Sequence, residues 1–122
     1  VVSMVDKFKV DVESIKSKGL VIAGYGAPAK ATTLLRLASL DRSTFDYIVD
    51  DNSLKQGKYL PGTGIPIVSI DQLRSDPPKC IVILAWNLAA QIIEKLKNYV
   101  VTDTMFLVPF REQNFEEQQN QG

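Results

Sequence analysis

Residues 20–37 (LVIAGYGAPAKATTLLRL) constrain the fold more than any other stretch of the chain. They begin with an unbroken apolar run at residues 20–23, which is typical of a strand buried on both faces. A glycine-rich turn follows at residues 24–28. Apolar residues then recur at helical spacing, at Ala31, Leu34, Leu35 and Ala38. A strand, a glycine turn and a helix predict the first half of a βαβ unit.

The turn itself has two interpretations. Gly24 and Gly26, with Ala29 in third place, fit the G-x-G-x-x-G/A pattern, in which small residues permit a tight turn and close helix–strand packing. Free amides at the start of the following helix favour anions such as phosphates, and Lys30 lies in the first helical turn, within reach of an anion. The alternative is a tight turn of the kind found in any doubly wound domain.

The rest of the chain alternates strands and helices. A helix is predicted at residues 2–17, and strands at residues 46–50, 67–68, 80–85 and 104–108. A small helix is expected around residues 71–74, and a further helix with Ile92, Ile93 and Leu96 on its buried face is expected after Asn87, its candidate N-cap. This alternation predicts an α/β fold: a Rossmann-like, doubly wound, mainly parallel sheet of about five strands with helices on both faces. Right-handed crossovers predict that the strands beginning at Leu20 and Cys80 are neighbours at its centre.

Candidate binding residues cluster where strands end, and ligands of such sheets bind at the carboxyl ends of strands. The second strand ends at Asp50 and Asp51, acids that either hold a ribose hydroxyl or are solvated turn residues. The glycine- and proline-rich loop at residues 54–65 adds lysines for anions and a tyrosine for stacking. The predicted substrate-binding residues are Gly24, Tyr25, Gly26, Ala27, Lys30, Asp51, Asn52, Lys55, Lys58, Tyr59, Trp86 and Asn87.

Composition excludes several functions. The 14 basic and 14 acidic residues balance, so the chain has no electrostatic footprint for nucleic acid or membrane surfaces. One cysteine and no histidine exclude a disulfide framework and the usual zinc sites, so no metal site is predicted. Cys80 precedes an apolar run and is predicted to be a buried core thiol. With no apolar stretch of membrane-spanning length, we expect a cytoplasmic protein.

Three phrases resemble one known family. They are residues 24–35 (GYGAPAKATTLL), residues 51–63 (DNSLKQGKYLPGT) and residues 83–87 (ILAWN). In this order they are similar to the C-terminal domain of S-adenosylmethionine-dependent C-methyltransferases, notably those that act on nucleotide-linked deoxysugars. The resemblance covers roughly residues 5–111, so we expect a domain at residues 1–111 and a polar, flexible tail at residues 112–122.

The resemblance implies a substrate-binding role inside a longer enzyme. In that family a cysteine-rich zinc region and a central domain that binds S-adenosylmethionine precede this one, and the C-terminal domain helps to form the sugar-nucleotide site. We therefore expect a nucleotide-linked sugar and the central methyltransferase domain as partners. We expect no catalytic residue and no cofactor of its own in this domain. The alternatives are an NAD(P)- or other nucleotide-binding Rossmann module and a non-catalytic interaction domain.

Overall fold

The structure is a computed structural model that describes residues 4–101 and 103–111. The predicted tail and the first residues of the predicted N-terminal helix lie outside the described residues. The elements in chain order are α1 (Met4–Lys16), β1 (Ile22–Tyr25), α2 (Ala29–Leu37), β2 (Tyr47–Val49), β3 (Ile67–Val68), α3 (Gln72–Ser75), β4 (Cys80–Ile83), a 3₁₀ turn (Trp86–Leu88), α4 (Ala89–Leu96) and β5 (Met105–Leu107).

The five strands form one parallel sheet in the order β3-β2-β1-β4-β5. The chain moves outward from β1 through β2 to β3, then returns to the other side of β1 with β4. The predicted α/β doubly wound fold is confirmed, and so is the central pairing of β1 with β4, in which Gly24 lies opposite Val82. The order of the strands reverses between β1 and β4, which is where ligands bind in open α/β sheets.

Side chains of the central strands alternate between two apolar cores. Ile22, Cys80 and Val82 point to the core that holds α1 and α2, whereas Ala23 and Ile81 point to the core that holds α3 and α4. All four residues of β1 and all four of β4 are buried, as expected for strands with helices on both faces. The cores therefore fix the sheet between two helical layers, and the loops at the strand ends are left to form a site. Among the described helices, none is long and apolar enough to cross a bilayer.

The loop after β2 is more ordered than the sequence indicates. Tyr59 forms an antiparallel bridge with Pro66, and the Leu60 N–H donates to the Ile65 carbonyl at 2.8 Å. The hydroxyl of buried Thr63 donates to the Leu60 carbonyl and accepts from the Ile65 N–H. This segment covers the edge of β3, which would otherwise expose unpaired backbone groups.

Some predicted boundaries are wrong. β1 runs from Ile22 to Tyr25, two residues later than predicted, because Gly24 and Tyr25 pair with β2 and β4 instead of forming the turn. β4 ends at Ile83, and β2 and β5 are each shorter by one residue at both ends. The turn after β1 therefore begins at Gly26.

Candidate functional site

The turn after β1 is closed by the chain's own hydrogen bonds. Gly26 has a φ of 93°, a left-handed conformation that favours glycine, and its N–H donates to the Val49 carbonyl at 2.7 Å. The Ala27 N–H donates to Asp50 Oδ2 at 2.8 Å. Asp50 Oδ1 accepts from the Asn52 N–H, also at 2.8 Å. Two amides that the sequence offers to an anion are thus already paired, one of them with a carboxylate.

Close packing accounts for both glycines. A Cβ at Gly26 would lie 3.0 Å from the Ala85 Cβ, and a Cβ at Gly24 would lie 2.8 Å from Leu84 Cδ1. At Gly26 the turn after β1 packs against Ala85, which follows β4. At Gly24 the strand packs against Leu84, which belongs to the core that holds α1 and α2. Gly24 is buried in β1, so its small size serves the packing of the strand.

A first cluster of predicted residues forms at the start of α2. Lys30 Nζ donates to Asn87 Oδ1 at 2.6 Å and lies 4.4 Å from the centroid of the Trp86 ring. Phe110 packs edge-on against the same ring, with centroids 4.9 Å apart. We call Lys30, Trp86 and Asn87 the Lys30 cluster. The start of α2 and the 3₁₀ turn after β4 thus bring together residues that lie up to 57 positions apart in the sequence.

The prediction that Asn87 caps the following helix is wrong. Residues Trp86–Leu88 form a 3₁₀ turn, and Leu88 occupies the N-cap of α4 without a side-chain hydrogen bond. Asn87 instead uses its side-chain oxygen for Lys30. Pro28 occupies the N-cap of α2, and no side chain caps this helix either. The N–H groups of Ala29 and Lys30, in the first helical turn, therefore lie beside the Lys30 cluster without a side-chain cap.

A cleft of about 300 Å³ opens on the other side of the turn. Three of its lining residues form a hydrogen-bonded set that we call the Tyr25 trio: Tyr25, Asp51 and Lys95. The Tyr25 hydroxyl donates to Asp51 Oδ2 at 2.6 Å, while Lys95 Nζ donates to the same oxygen at 2.5 Å and to the Tyr25 hydroxyl at 2.9 Å. We call this cavity the Tyr25 cleft.

The trio holds a charged pair and a protonated phenol. The hydrogen bond from Lys95 is the largest cause that lowers the pKa of Asp51, and the hydrogen bond from Tyr25 is the second. The same bond to Asp51 is the largest cause that raises the pKa of Lys95. Burial is the largest cause that raises the pKa of Tyr25, followed by its hydrogen bond to Asp51. Because all three shifts move away from neutral pH, the trio is suited to hydrogen bonding rather than to proton transfer.

Lys95 is a lining residue that the sequence analysis missed. It lies on α4, one helical turn after Gln91 and two turns after Leu88, and all three residues face the Tyr25 cleft. This spacing was a usable signal, because a helix that follows a central strand begins at the carboxyl edge of the sheet. Asp51 and Tyr25, by contrast, were predicted and do come together.

The loop residues divide into two groups. Lys55 Nζ donates to the Ala27 carbonyl at 2.9 Å and lies 4.0 Å from Asp50 Oδ2, so it braces the turn. Asn52 Oδ1 accepts from the Leu54 N–H and shapes the loop. Lys58 and Tyr59 belong to the segment beside β3 and are exposed; the described side-chain contacts bring neither into the Lys30 cluster or the Tyr25 trio.

A larger cavity, of about 380 Å³, lies between α1 and the segment that follows β5. Its lining is mainly apolar and includes Met4, Phe8 and Phe110. Of its charged residues, Lys7 and Asp11 pair with each other at 3.0 Å, and Arg111 lines it as well. It contains none of the predicted site residues. The clusters around the β1 turn therefore remain the candidate site.

Comparison with known proteins adds two findings. A family model described as the C-methyltransferase C-terminal domain matches residues 1–110. The C-methyltransferase NovU of Streptomyces niveus is 39% identical to this chain over 101 residues, which make up 83% of the chain and 24% of NovU. The chain thus spans about a quarter of the length of this curated relative.

Proposed function

The chain belongs to the family of C-methyltransferase C-terminal domains, and from this premise we propose that it forms part of the substrate site of a longer, S-adenosylmethionine-dependent enzyme. The proposed substrate is a nucleotide-linked sugar. The central domain of that enzyme would bind S-adenosylmethionine, and this domain would bind substrate without a catalytic residue of its own. The proposed compartment is the cytoplasm.

The observation that carries the proposal is the Lys30 cluster. A cation, an aromatic ring and an amide meet beside the uncapped start of a helix, at the edge where the strand order reverses. The Ala29 and Lys30 N–H groups and the Lys30 ammonium would bind a diphosphate, because helix starts and lysines both favour anions. The exposed part of the half-buried Trp86 ring would pack on the base or the sugar.

The turn amides play a smaller part in this proposal than the sequence indicates. Asp50 holds the Ala27 N–H, and a phosphate at that position would meet the carboxylate. The same observation argues against the alternative NAD(P) module, whose pyrophosphate needs the turn amides. Contacts from the other predicted residues stay predictions: Gly24, Tyr25, Gly26, Ala27, Asp51, Asn52, Lys55, Lys58 and Tyr59.

Substitution of Lys30 tests the proposal. We expect Lys30→Ala to weaken binding of a dTDP-linked deoxysugar by about 1–2 kcal/mol, the contribution of one charge-assisted hydrogen bond. Isothermal titration of the chain would measure it, and the difference should shrink at high salt because Lys30 is only half-buried. Lys79→Ala is the matched control, since Lys79 pairs with Asp103 at 2.8 Å just before β4 begins, at the opposite edge of the sheet. No binding, or equal affinities of the two variants, would contradict the proposal.

We also expect the chain alone to transfer no methyl group. The chain has no histidine, and the pKa shifts of Asp51, Lys95 and Tyr25 all move away from neutral pH, so the Tyr25 trio offers no general base. The measurement is incorporation of label from S-adenosylmethionine into the sugar nucleotide. Labelled product above the level of a protein-free control would overturn this part of the proposal.

A further inference from the structure

The Tyr25 cleft has an unused pair of hydrogen-bonding groups. Asp51 Oδ2 accepts from both Tyr25 and Lys95, but among the described residues no donor bonds the second carboxylate oxygen, Oδ1. Lys95 Nζ carries three N–H groups and donates two of them within the trio. The cleft therefore presents one carboxylate acceptor and one ammonium donor side by side, and both are anchored by the buried Tyr25.

A cis-diol matches this pair. One hydroxyl of a diol donates to a carboxylate oxygen, and the adjacent hydroxyl accepts from an ammonium. Asp51 also follows the end of β2, the place from which an acid holds a ribose in dinucleotide-binding folds. A vicinal pair of ribose hydroxyls is thus the simplest ligand group for Asp51 and Lys95.

The remaining walls of the cleft are apolar. Ala85, Leu88 and Ile92 line it, and Leu88 keeps 49% of its surface exposed. A flat heteroaromatic base covers such a surface, and the amide of Gln91 at the rim offers a donor and an acceptor to the edge of the base. A cavity of about 300 Å³ is at the lower end of the range for small-molecule sites.

The charge of the cleft argues against phosphate. Its charged lining residues are Asp50, Asp51 and Lys95, whose formal charges sum to −1, and Lys55, 4.0 Å from Asp50 Oδ2, does not line the cleft. The Ala27 N–H, the amide nearest to Asp50, is already bonded to that carboxylate. A 5′-phosphate beside Asp50 and Asp51 would meet like charge, and the remaining N–H group of Lys95 is the donor that the diol requires.

We propose that the Tyr25 cleft binds a ribonucleoside without phosphate, with Asp51 Oδ1 and Lys95 Nζ on its 2′,3′-cis-diol and its base against Leu88 and Ile92. This site is separate from the Lys30 cluster and does not depend on the sugar-nucleotide proposal. A thymidine nucleotide has no 2′-hydroxyl and cannot offer the diol.

The test compares ligands that differ by one group. The chain, labelled with ¹⁵N, is titrated with adenosine, 2′-deoxyadenosine, 5′-AMP and uridine, and amide shifts are followed at Asp51, Leu88, Ile92 and Lys95. We expect adenosine to bind about tenfold more tightly than 2′-deoxyadenosine, the loss expected for one hydrogen bond to a charged group. We expect 5′-AMP to bind more weakly than adenosine.

Variants locate the site. Asp51→Asn and Lys95→Met should each weaken adenosine binding about tenfold. Asp103→Asn, which breaks the exposed pair with Lys79, should leave it unchanged. Equal affinity for adenosine and 2′-deoxyadenosine would overturn the proposal, and so would the absence of shifts with both adenosine and uridine at millimolar concentration. Because the ligand comparison uses the unmodified chain, it holds even where a variant fails to fold.

Discussion

Asp50 occupies the hydrogen-bond donors that the glycine turn would otherwise offer to an anion. Its carboxylate binds the Ala27 and Asn52 N–H groups, and Lys55 stands 4.0 Å from it. A phosphate in a dinucleotide-binding domain would use the same kind of donors. In this chain the carboxylate of Asp50 already accepts hydrogen bonds from these donors. The glycine pattern therefore predicts the shape of the turn correctly, but it does not show that the turn binds an anion.

Gly26→Ala should lower the free energy of unfolding, because a left-handed φ costs a non-glycine residue about 1–2 kcal/mol and the new Cβ would also lie 3.0 Å from the Ala85 Cβ. Gly57→Ala is the matched control, since Gly57 has a φ of 87° but its new Cβ would have no atom of the described residues within 4 Å beyond its chain neighbours. Urea unfolding of both variants separates strain from packing. Equal losses would show that Ala85 moves aside at no cost.

The sequence predicts the strands and helices whose positions depend on the pattern of apolar residues. β1 and β4 are the two strongest apolar runs, and both lie at the centre of the sheet as expected. The boundary of β1 was wrong because glycine indicates a turn, whereas Gly24 is needed inside the strand to admit Leu84. Local residue preference could not foresee that tertiary contact.

The sequence predicts which residues of the candidate site lie close together, but it does not predict every contact that they make. Parallel strands end at one edge, so the encounter of Lys30 with Trp86 and Asn87 follows from the topology. The role of Asn87 does not, because the 3₁₀ turn at Trp86–Leu88 moves the start of α4 and frees the amide for Lys30. The spacing of Leu88, Gln91 and Lys95 indicates that Lys95 faces the cleft, but its hydrogen bond to Asp51, which follows β2, depends on tertiary packing that periodicity does not give.

The sheet that separates the two apolar cores of the molecule carries one buried thiol, that of Cys80. Cys80 is fully buried on β4, between β1 and β5, and burial raises its pKa to about 12. Its prediction as a core thiol is confirmed. Ionising it in place would put a charge in the apolar core between the sheet and helices α1 and α2, so the thiolate forms readily only when the domain unfolds.

The stability of the whole domain should therefore fall in alkaline solution. An unfolded thiol titrates near pH 8.5, so above that value and up to a pH of about 12 the folded state binds one proton more than the unfolded state. The free energy of unfolding then decreases as pH rises, by about 1.4 kcal/mol per pH unit once the unfolded thiol is ionised. Burial also raises the pKa of Tyr47, whose hydroxyl donates to the Asp76 carbonyl at 2.6 Å, and this adds a second loss above about pH 10.

Two variants separate these contributions in urea unfolding measured at intervals between pH 7 and 11. Cys80→Ala should flatten the decrease between about pH 9 and 10, where tyrosines of the unfolded chain are still protonated. Tyr47→Phe should keep the decrease in that interval and reduce the steeper fall above it. If Cys80→Ala and the unmodified chain lose stability in parallel between pH 9 and 10, proton release from the Cys80 thiol does not govern the alkaline limit of the fold.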